Sequence, residues 1–186
     1  MTWTPRDAGW IEVICGSMFS GKTEELIRRV RRTQIAKMET CIFKPKIDNR
    51  YSPEHIVSHN QLKLDAQIVN SAEEILNKSN NVEVVAIDEA QFFKNNLINV
   101  CKKLAKQKKR VIVAGLDTDY RGEPFGPMPQ LMCEADYVDK LRAICVNCGN
   151  PATYTQRKNK DRQRVVIGEL DIYEARCRNC YEPPSN

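Results

Sequence analysis

Ile11-Glu12-Val13-Ile14-Cys15-Gly16-Ser17-Met18-Phe19-Ser20-Gly21-Lys22-Thr23 decides the fold of this chain. Ile11 to Cys15 is a continuous, mainly apolar run and reads as a buried strand. Gly16 to Thr23 matches G-x-x-x-x-G-K-[ST], and a helical segment follows with Leu26, Ile27 and Val30 on one face. A glycine turn that merely happened to precede Lys-Thr would not need a strand before it and a helix after it. The glycines let the backbone wrap closely around a phosphate, with successive N–H groups pointing inward. Lys22 supplies a cation for the outer phosphates, and the Thr23 hydroxyl can ligate magnesium. Gly16, Ser17, Met18, Phe19, Ser20, Gly21, Lys22 and Thr23 are therefore the candidate ATP-binding loop.

Working outward, Cys41-Ile42-Phe43 predicts a second strand stopped by Pro45, and Lys46 to Lys63, polar and rich in turn formers, predicts a long loop. Ser71-Ala72-Glu73-Glu74 has the form of a capping box opening a short helix with Ile75 and Leu76. Val82 to Ile87, apolar but for Glu83 near its start, reads as a central parallel strand. From about Asn95 to Lys108, Leu97, Ile98, Cys101, Leu104 and Ala105 fall at helical spacing, and Val111 to Leu116 is another buried strand. Strands alternating with helices predict an α/β fold: a phosphate-loop (RecA-like), mainly parallel sheet with helices on both faces. After about Arg142 the texture changes to short β-rich pieces. There, Tyr154-Thr155 and Val165-Val166-Ile167 predict a hairpin with the charged stretch Arg157 to Arg164 at its tip. The expected division is a nucleotide-binding domain over 1–142 and a small zinc-binding domain over 143–186.

Asp88 follows the strand Val82 to Ile87, where a phosphate-loop protein holds its magnesium-supporting carboxylate. Glu89 projects from the same strand end at a different angle. An acceptor hydroxyl needs such a carboxylate to take its proton and aim its lone pair at phosphorus. Alone, Glu89 would pass for a surface charge; beside a phosphate loop it is a candidate base. Asp48 and Arg50, in the polar loop, could reach a magnesium-bound water and a phosphate. The two histidines, His55 and His59, lie in that loop too and are assigned no role.

Eight cysteines divide into two sets. Cys15, Cys41, Cys101 and Cys133 sit among apolar neighbours and read as buried thiols. Cys145-Val146-Asn147-Cys148 and Cys177-Arg178-Asn179-Cys180 have the spacing by which two thiolates grip one metal from a tight turn. Together they predict a closed Cys₄ zinc site, structural because no ligand position is left open, that pins Ala152 to Glu174 as a loop. Redox use of either pair is the competing reading.

The chain has 186 residues, 41% hydrophobic and 28% charged, which fits a folded domain with an appendage and argues against wholesale disorder. No apolar run reaches the roughly 20 residues of a membrane span. MTWTPRDAGW lacks a basic segment followed by an apolar one, so a cytoplasmic protein is expected. The net charge of +5 collects at Arg28, Arg29, Arg31 and Arg32 and again at Lys102, Lys103, Lys106, Lys108, Lys109 and Arg110, expected to close the later helix. Both clusters read as solvated faces, the second complementing a helix dipole, and stable nucleic-acid binding is not expected.

With these residues in place, the chain resembles the type II thymidine kinases, the family of the vertebrate cytosolic and most bacterial enzymes. The resemblance runs from about Gly9 to Tyr181 through GSMFSGKTEELIRRVRR, DNRY, DEAQFF, GLDTDYRGEPFG, CVNCGNPATYTQR and VVIGELDIYEARCRNCY. It implies transfer of the ATP γ-phosphoryl group to the 5′-hydroxyl of thymidine, with Glu89 as catalytic base. It implies magnesium on Thr23, Asp88 and Asp48, and extends the ATP-binding set to Asp88, Glu89, Ala90 and Gln91. Asp48 and Arg50 match a pair near the phosphates and acceptor. The zinc-pinned loop would act as a lasso over the base, reading thymine through the main chain of Arg164, Val165, Val166, Ile167 and Gly168. Tyr173 matches a lasso tyrosine, while Met18, Phe92, Leu116, Tyr120, Phe125 and Thr155 match positions around the base. Tyr120 departs from members that carry phenylalanine there. The resemblance also implies a homotetramer inhibited by dTTP. A nucleic-acid-stimulated ATPase with a zinc ribbon is the alternative, because Asp88-Glu89 after a strand also suits motor enzymes.

Overall fold

The computed structural model describes residues 7–46, 55–57, 63–159 and 172–184, with the backbone alone at 55–57 and 63. In chain order the elements are β1 (Trp10–Cys15), α1 (Lys22–Ile35), β2 (Thr40–Pro45), β3 (His55–Val57), β4 (Lys63–Asp65), β5 (Gln67–Val69), α2 (Ala72–Lys78) and β6 (Val84–Ile87). A 3₁₀ turn at Ala90–Phe92 leads to α3 (Asn96–Lys106), β7 (Arg110–Gly115), α4 (Met128–Glu134) and β8 (Tyr137–Lys140). Four short strands follow: β9 (Ala143–Ile144), β10 (Pro151–Ala152), β11 (Tyr154–Arg157) and β12 (Tyr173–Arg176).

Six strands form one sheet in the order β5-β2-β6-β7-β1-β8, and every pairing in it is parallel. Alternate residues of the central strands serve two separate cores. Val13, Cys15, Val85, Ile87, Val111 and Val113 face α2, α3 and α4 through Ile75, Leu97, Leu104 and Leu131. Ile14, Ala86, Ile112 and Ala114 face Leu26 and Val30 of α1. A strand buried on both faces has no polar side to show, which is why these segments read as unbroken apolar runs. Each fully buried leucine here contributes about 2 kcal/mol of transfer free energy. The expected architecture, a parallel sheet with helices on both faces, is the one found.

One charge is built into that sheet. Glu12 of β1 is buried and accepts hydrogen bonds from Trp10 Nε1 at 2.6 Å, Arg110 Nε at 2.7 Å and Arg29 Nη1 at 2.7 Å. Burial alone would push its carboxyl up, but Arg110, with Trp10 and Arg29, holds it below its ordinary value.

Several local expectations change. β2 runs to Pro45, its last residue, so the proline ends the strand from inside. Within the expected 46–63 loop, β3 forms and pairs antiparallel with β4. Ser71 sits at the N-cap of α2 without a side-chain cap bond, and Glu74 accepts from the Asn70 amide instead, one residue earlier than a capping box requires. α3 ends at Lys106, Arg110 opens β7, and Lys109 is buried with its amine donating to Asn80 O and Val82 O. Cys133 is exposed, and Cys41 is half-exposed where it packs against the margin of the larger core. β11 pairs with β12, in the register Tyr154↔Arg176 to Arg157↔Tyr173. The expected hairpin partner Val165–Ile167 lies outside the described residues.

Candidate active site

Parallel strands gather their carboxyl ends along one sheet edge, where α/β proteins bind ligands. β7 lies between β1 and β6, so Gly16 and Asp88 leave the sheet one strand apart. The turn after β1 needs its glycines. Gly16 has φ +140°, and a Cβ there would stand 2.4 Å from Leu141 O; Gly21, the N-cap of α1, has φ +84°. Phe19 also adopts positive φ, +63°, and packs against a small apolar nucleus around the cysteine pairs. Ser17 Oγ and Ser20 Oγ are buried without a hydrogen-bond partner among the described residues, which is what a loop shaped for a polyanion would leave open. Lys22 Nζ donates to Ser17 O at 2.7 Å. Burial lowers the Lys22 pKa, while Glu89, Asp88 and Asp117 pull it back upward.

Asp88 is buried and held from three sides. Its own N–H donates to Phe43 O at 2.9 Å, its Oδ1 accepts from Glu89 N at 2.9 Å, and its Oδ2 accepts from Thr23 Oγ1 at 3.4 Å. Thus the hydroxyl of the phosphate loop and the carboxylate of β6 meet across the strand between them. Burial, then the neighbouring Glu89 charge, pushes the Asp88 carboxyl up to about 7. A buried carboxylate strained in this way fits a divalent cation, whose charge would relieve it.

Glu89 takes a left-handed backbone conformation, φ +53°, as it turns out of β6 into the 3₁₀ turn. Gln91 Nε2 donates to Glu89 Oε2 at 2.5 Å, and Gln91 Oε1 accepts from Leu116 N at 3.0 Å. Ala90 is buried in the core beneath them.

The expected base-pocket residues fall into linked groups. Met18 N donates to Thr155 Oγ1 at 3.0 Å, joining the phosphate loop to β11. Phe92 and Phe125 make an edge-to-face pair with ring centres 5.5 Å apart. Leu116 follows β7 and meets Gln91. Tyr120 and Tyr173 are bridged by Arg157, whose guanidinium lies 3.6 Å from the Tyr120 ring centre and donates to Tyr173 Oη at 2.6 Å. Asp48, Arg50, Arg164, Val165, Val166, Ile167 and Gly168 lie outside the described residues.

Arg157 was expected only at the start of an exposed charged tip, yet it is buried. Reading β11 at period two gives the missing signal: Thr155 and Arg157 share the buried face of that strand. Asp117, just past β7, also had no assigned role; it is buried, 2.7 Å from Lys140 Nζ, and adds negative charge near Lys22.

The four cysteines converge. Cys145, Cys148, Cys177 and Cys180 place their sulfurs within 4.8 Å of one another, and Cys148 Sγ is 3.5 Å from both Cys177 Sγ and Cys180 Sγ. Tetrahedral thiolates around zinc would stand roughly 3.8 Å apart, so the donor set fits a metal ion. Each pair is a tight turn: Gly149 N donates to Cys145 O at 2.9 Å, and Cys180 N to Cys177 O at 3.1 Å. Burial would raise the Cys145 thiol, yet amides of Cys177, Cys148 and Asn147 bring it down to about 6, favouring the thiolate a metal binds.

The model of the family described as "Thymidine kinase" matches residues 9–181. A curated relative, "Thymidine kinase" of Rhodothermus sp. (strain ITI 518), is 57% identical over 176 residues, covering 95% of this chain and 83% of that one. The match spans the phosphate loop, the Asp88-Glu89 turn and both cysteine pairs alike, and this chain belongs to the thymidine kinase family.

Proposed function

We infer that this protein is an ATP-dependent thymidine kinase, transferring the γ-phosphoryl group of ATP to the 5′-hydroxyl of thymidine to give dTMP. The observation that carries the reading is the meeting of Thr23 with Asp88, with Glu89 on the same strand end, in a chain of that family. Lys22 and the amides of Gly16 to Thr23 bear the charge spreading over the γ-phosphoryl oxygens. Magnesium, on Thr23 and Asp88 with Asp48 as a further ligand, supplies charge neutralisation at the outer phosphates. Glu89 aims the acceptor hydroxyl and takes its proton as the new O–P bond forms and the bond to ADP breaks.

Phe92, Leu116, Tyr120, Phe125, Thr155 and Tyr173, with Met18, form the wall of the nucleoside pocket. Asp48 and Arg50 approach the phosphates, and the main chain of Arg164 to Gly168 reads the thymine edge. Zinc on the four cysteines pins that segment, so that its donors and acceptors are preorganised and lose little ordering entropy on binding. The chain divides functionally at about 142/143, acts as a cytoplasmic homotetramer and takes dTTP as a feedback inhibitor. Family membership does not favour the nucleic-acid-stimulated ATPase. ADP release from Mg-ATP, measured with thymidine, with DNA and with neither, decides the matter. Release that DNA drives and thymidine does not would overturn the kinase reading.

A further inference from the structure

We propose that Gln91 is a positioning residue for the phosphoryl transfer: its side-chain amide, anchored on the main chain of Leu116, holds one oxygen of Glu89 and thereby presents the other to the acceptor hydroxyl. The proposal rests on the reading of Glu89 as the catalytic base.

The orientation of the amide is fixed by chemistry. A main-chain N–H can only donate, so the end of Gln91 facing Leu116 N, at 3.0 Å, is the carbonyl Oε1. The end facing Glu89 Oε2, at 2.5 Å, is then the NH₂. A reversed amide would set NH₂ against N–H and carbonyl against carboxylate, two repulsive contacts in place of two bonds. Gln91 is 2% exposed, so water cannot replace either partner cheaply.

The surroundings give up side chains to seat this residue. At Gly126, φ +52°, a Cβ would lie 2.1 Å from Gln91 O and 3.0 Å from its carbonyl carbon. At Gly115 a Cβ would lie 2.8 Å from Gln91 Oε1 and 2.7 Å from Met128 Sδ. Both the main chain and the amide of Gln91 are therefore tightly confined. Glu89, by contrast, has a long side chain on a left-handed backbone at a strand end. A carboxylate on three rotatable bonds needs an external hold if it is to meet an alcohol in one geometry, and misplacement by about 1 Å costs on the order of 100-fold in rate. Leu116, at the other end of the link, is one of the expected nucleoside-pocket residues, so the same amide ties the base to the wall against which the acceptor lies.

The link also gives Gln91 a role different from direct nucleotide binding, because both ends of its amide are engaged within the protein. The two roles separate in kinetics. Gln91→Asn keeps the amide but is one methylene too short to reach from Leu116 N–H to Glu89; Gln91→Met removes both bonds. Thymidine phosphorylation by the full chain with Mg-ATP should lose about 10- to 100-fold in kcat in each variant, the scale of a charge-assisted hydrogen bond, with the KM for ATP within about twofold of the parent. Adding Gln91→Met to Glu89→Ala should cost nothing further, since the residue acts through a carboxylate already removed. Unchanged kcat in folded Gln91→Met, a raised ATP KM at constant kcat, or an additive loss in the double variant would each overturn the proposal. If Glu89→Ala itself turned over like the parent, the reading of Glu89 would fail first. Should Gln91→Met not fold, Gln91→Asn, still an amide but too short for the bridge, carries the test.

Discussion

Arg157 is packed face-on against Tyr120, 3.6 Å from its ring centre, while its Nη2 donates to Tyr173 Oη at 2.6 Å. A guanidinium stacked on one tyrosine and hydrogen-bonded to another fixes the separation and tilt of the two rings. Tyr120 belongs to the segment after β7, and Tyr173 to β12. One buried cation thus sets a distance between two walls of the expected nucleoside pocket. Arg157→Met should raise the thymidine KM about 10-fold, the scale of one desolvated cation–π contact, while leaving the ATP KM nearly unchanged. Steady-state kinetics with each substrate varied in turn would check this, and an equal rise in both KM values would refute it.

Glu89→Gln retains the shape of the side chain and removes the proton acceptor. Turnover should fall by about 10²- to 10⁴-fold with thymidine affinity nearly intact. Thymidine titrated calorimetrically into the variant, alongside a coupled turnover assay, separates the two quantities. Near-normal kcat would exclude Glu89 as the base.

Gly126→Ala forces a methyl group to within 2.1 Å of Gln91 O on a backbone already at positive φ. The variant should lose about 2–4 kcal/mol of stability through strain and displacement of the 3₁₀ turn. Urea unfolding measures it, and a loss below about 0.5 kcal/mol would mean that the turn yields easily.

Acid should weaken the protein through Glu12 and Glu25. Hydrogen bonds from Arg28, supported by Arg29, hold Glu25 down to about 2 from 4.5, and Arg110 with Trp10 and Arg29 holds Glu12 below that ordinary value. Carboxylates with depressed folded pKa values contribute in full above about 4.5 and lose that contribution as pH falls toward about 2. Glu12→Gln should cost about 3 kcal/mol at pH 7, because Arg110 and Arg29 lose a buried partner, and should flatten the decline between pH 5 and 3. Equal stability of parent and variant at pH 7 would contradict the assignment.

Cys177→Ser, or removal of metal by a chelator, should impair thymidine binding more than ATP binding, since Ala152 to Glu174 spans the interval between the cysteine pairs. Metal content by mass spectrometry and the two KM values give the readout. A thymidine KM that ignores metal loss would count against the pinning of that segment.

The sequence carried the sheet because its central strands are buried on both faces and leave an unbroken apolar record. The glycine loop was legible for a related reason: its chemistry is local, confined to Gly16–Thr23. Tertiary pairings were harder. The pairing of β11 with β12 went unpredicted, because four-residue strands carry too little pattern to name a partner. α4 and β8 went unread, the helix hidden by Pro127 and Pro129 and the strand by its mixed, mainly exposed face. The amide of Gln91 was assigned to nucleotide by resemblance, since nothing in a linear reading places Leu116 N–H within its reach. Arg157 reads as a solvated charge in the sequence because it opens a mainly charged run from 157 to 164. Its partners lie on two different segments.

Phe19, within the phosphate loop, packs its ring against the nucleus of Ala143, Cys145, Ala152, Ala175 and Cys177. The floor of the nucleotide seat is therefore also the ceiling of the cysteine nucleus. Repacking on either side of that ring is thus felt on the other.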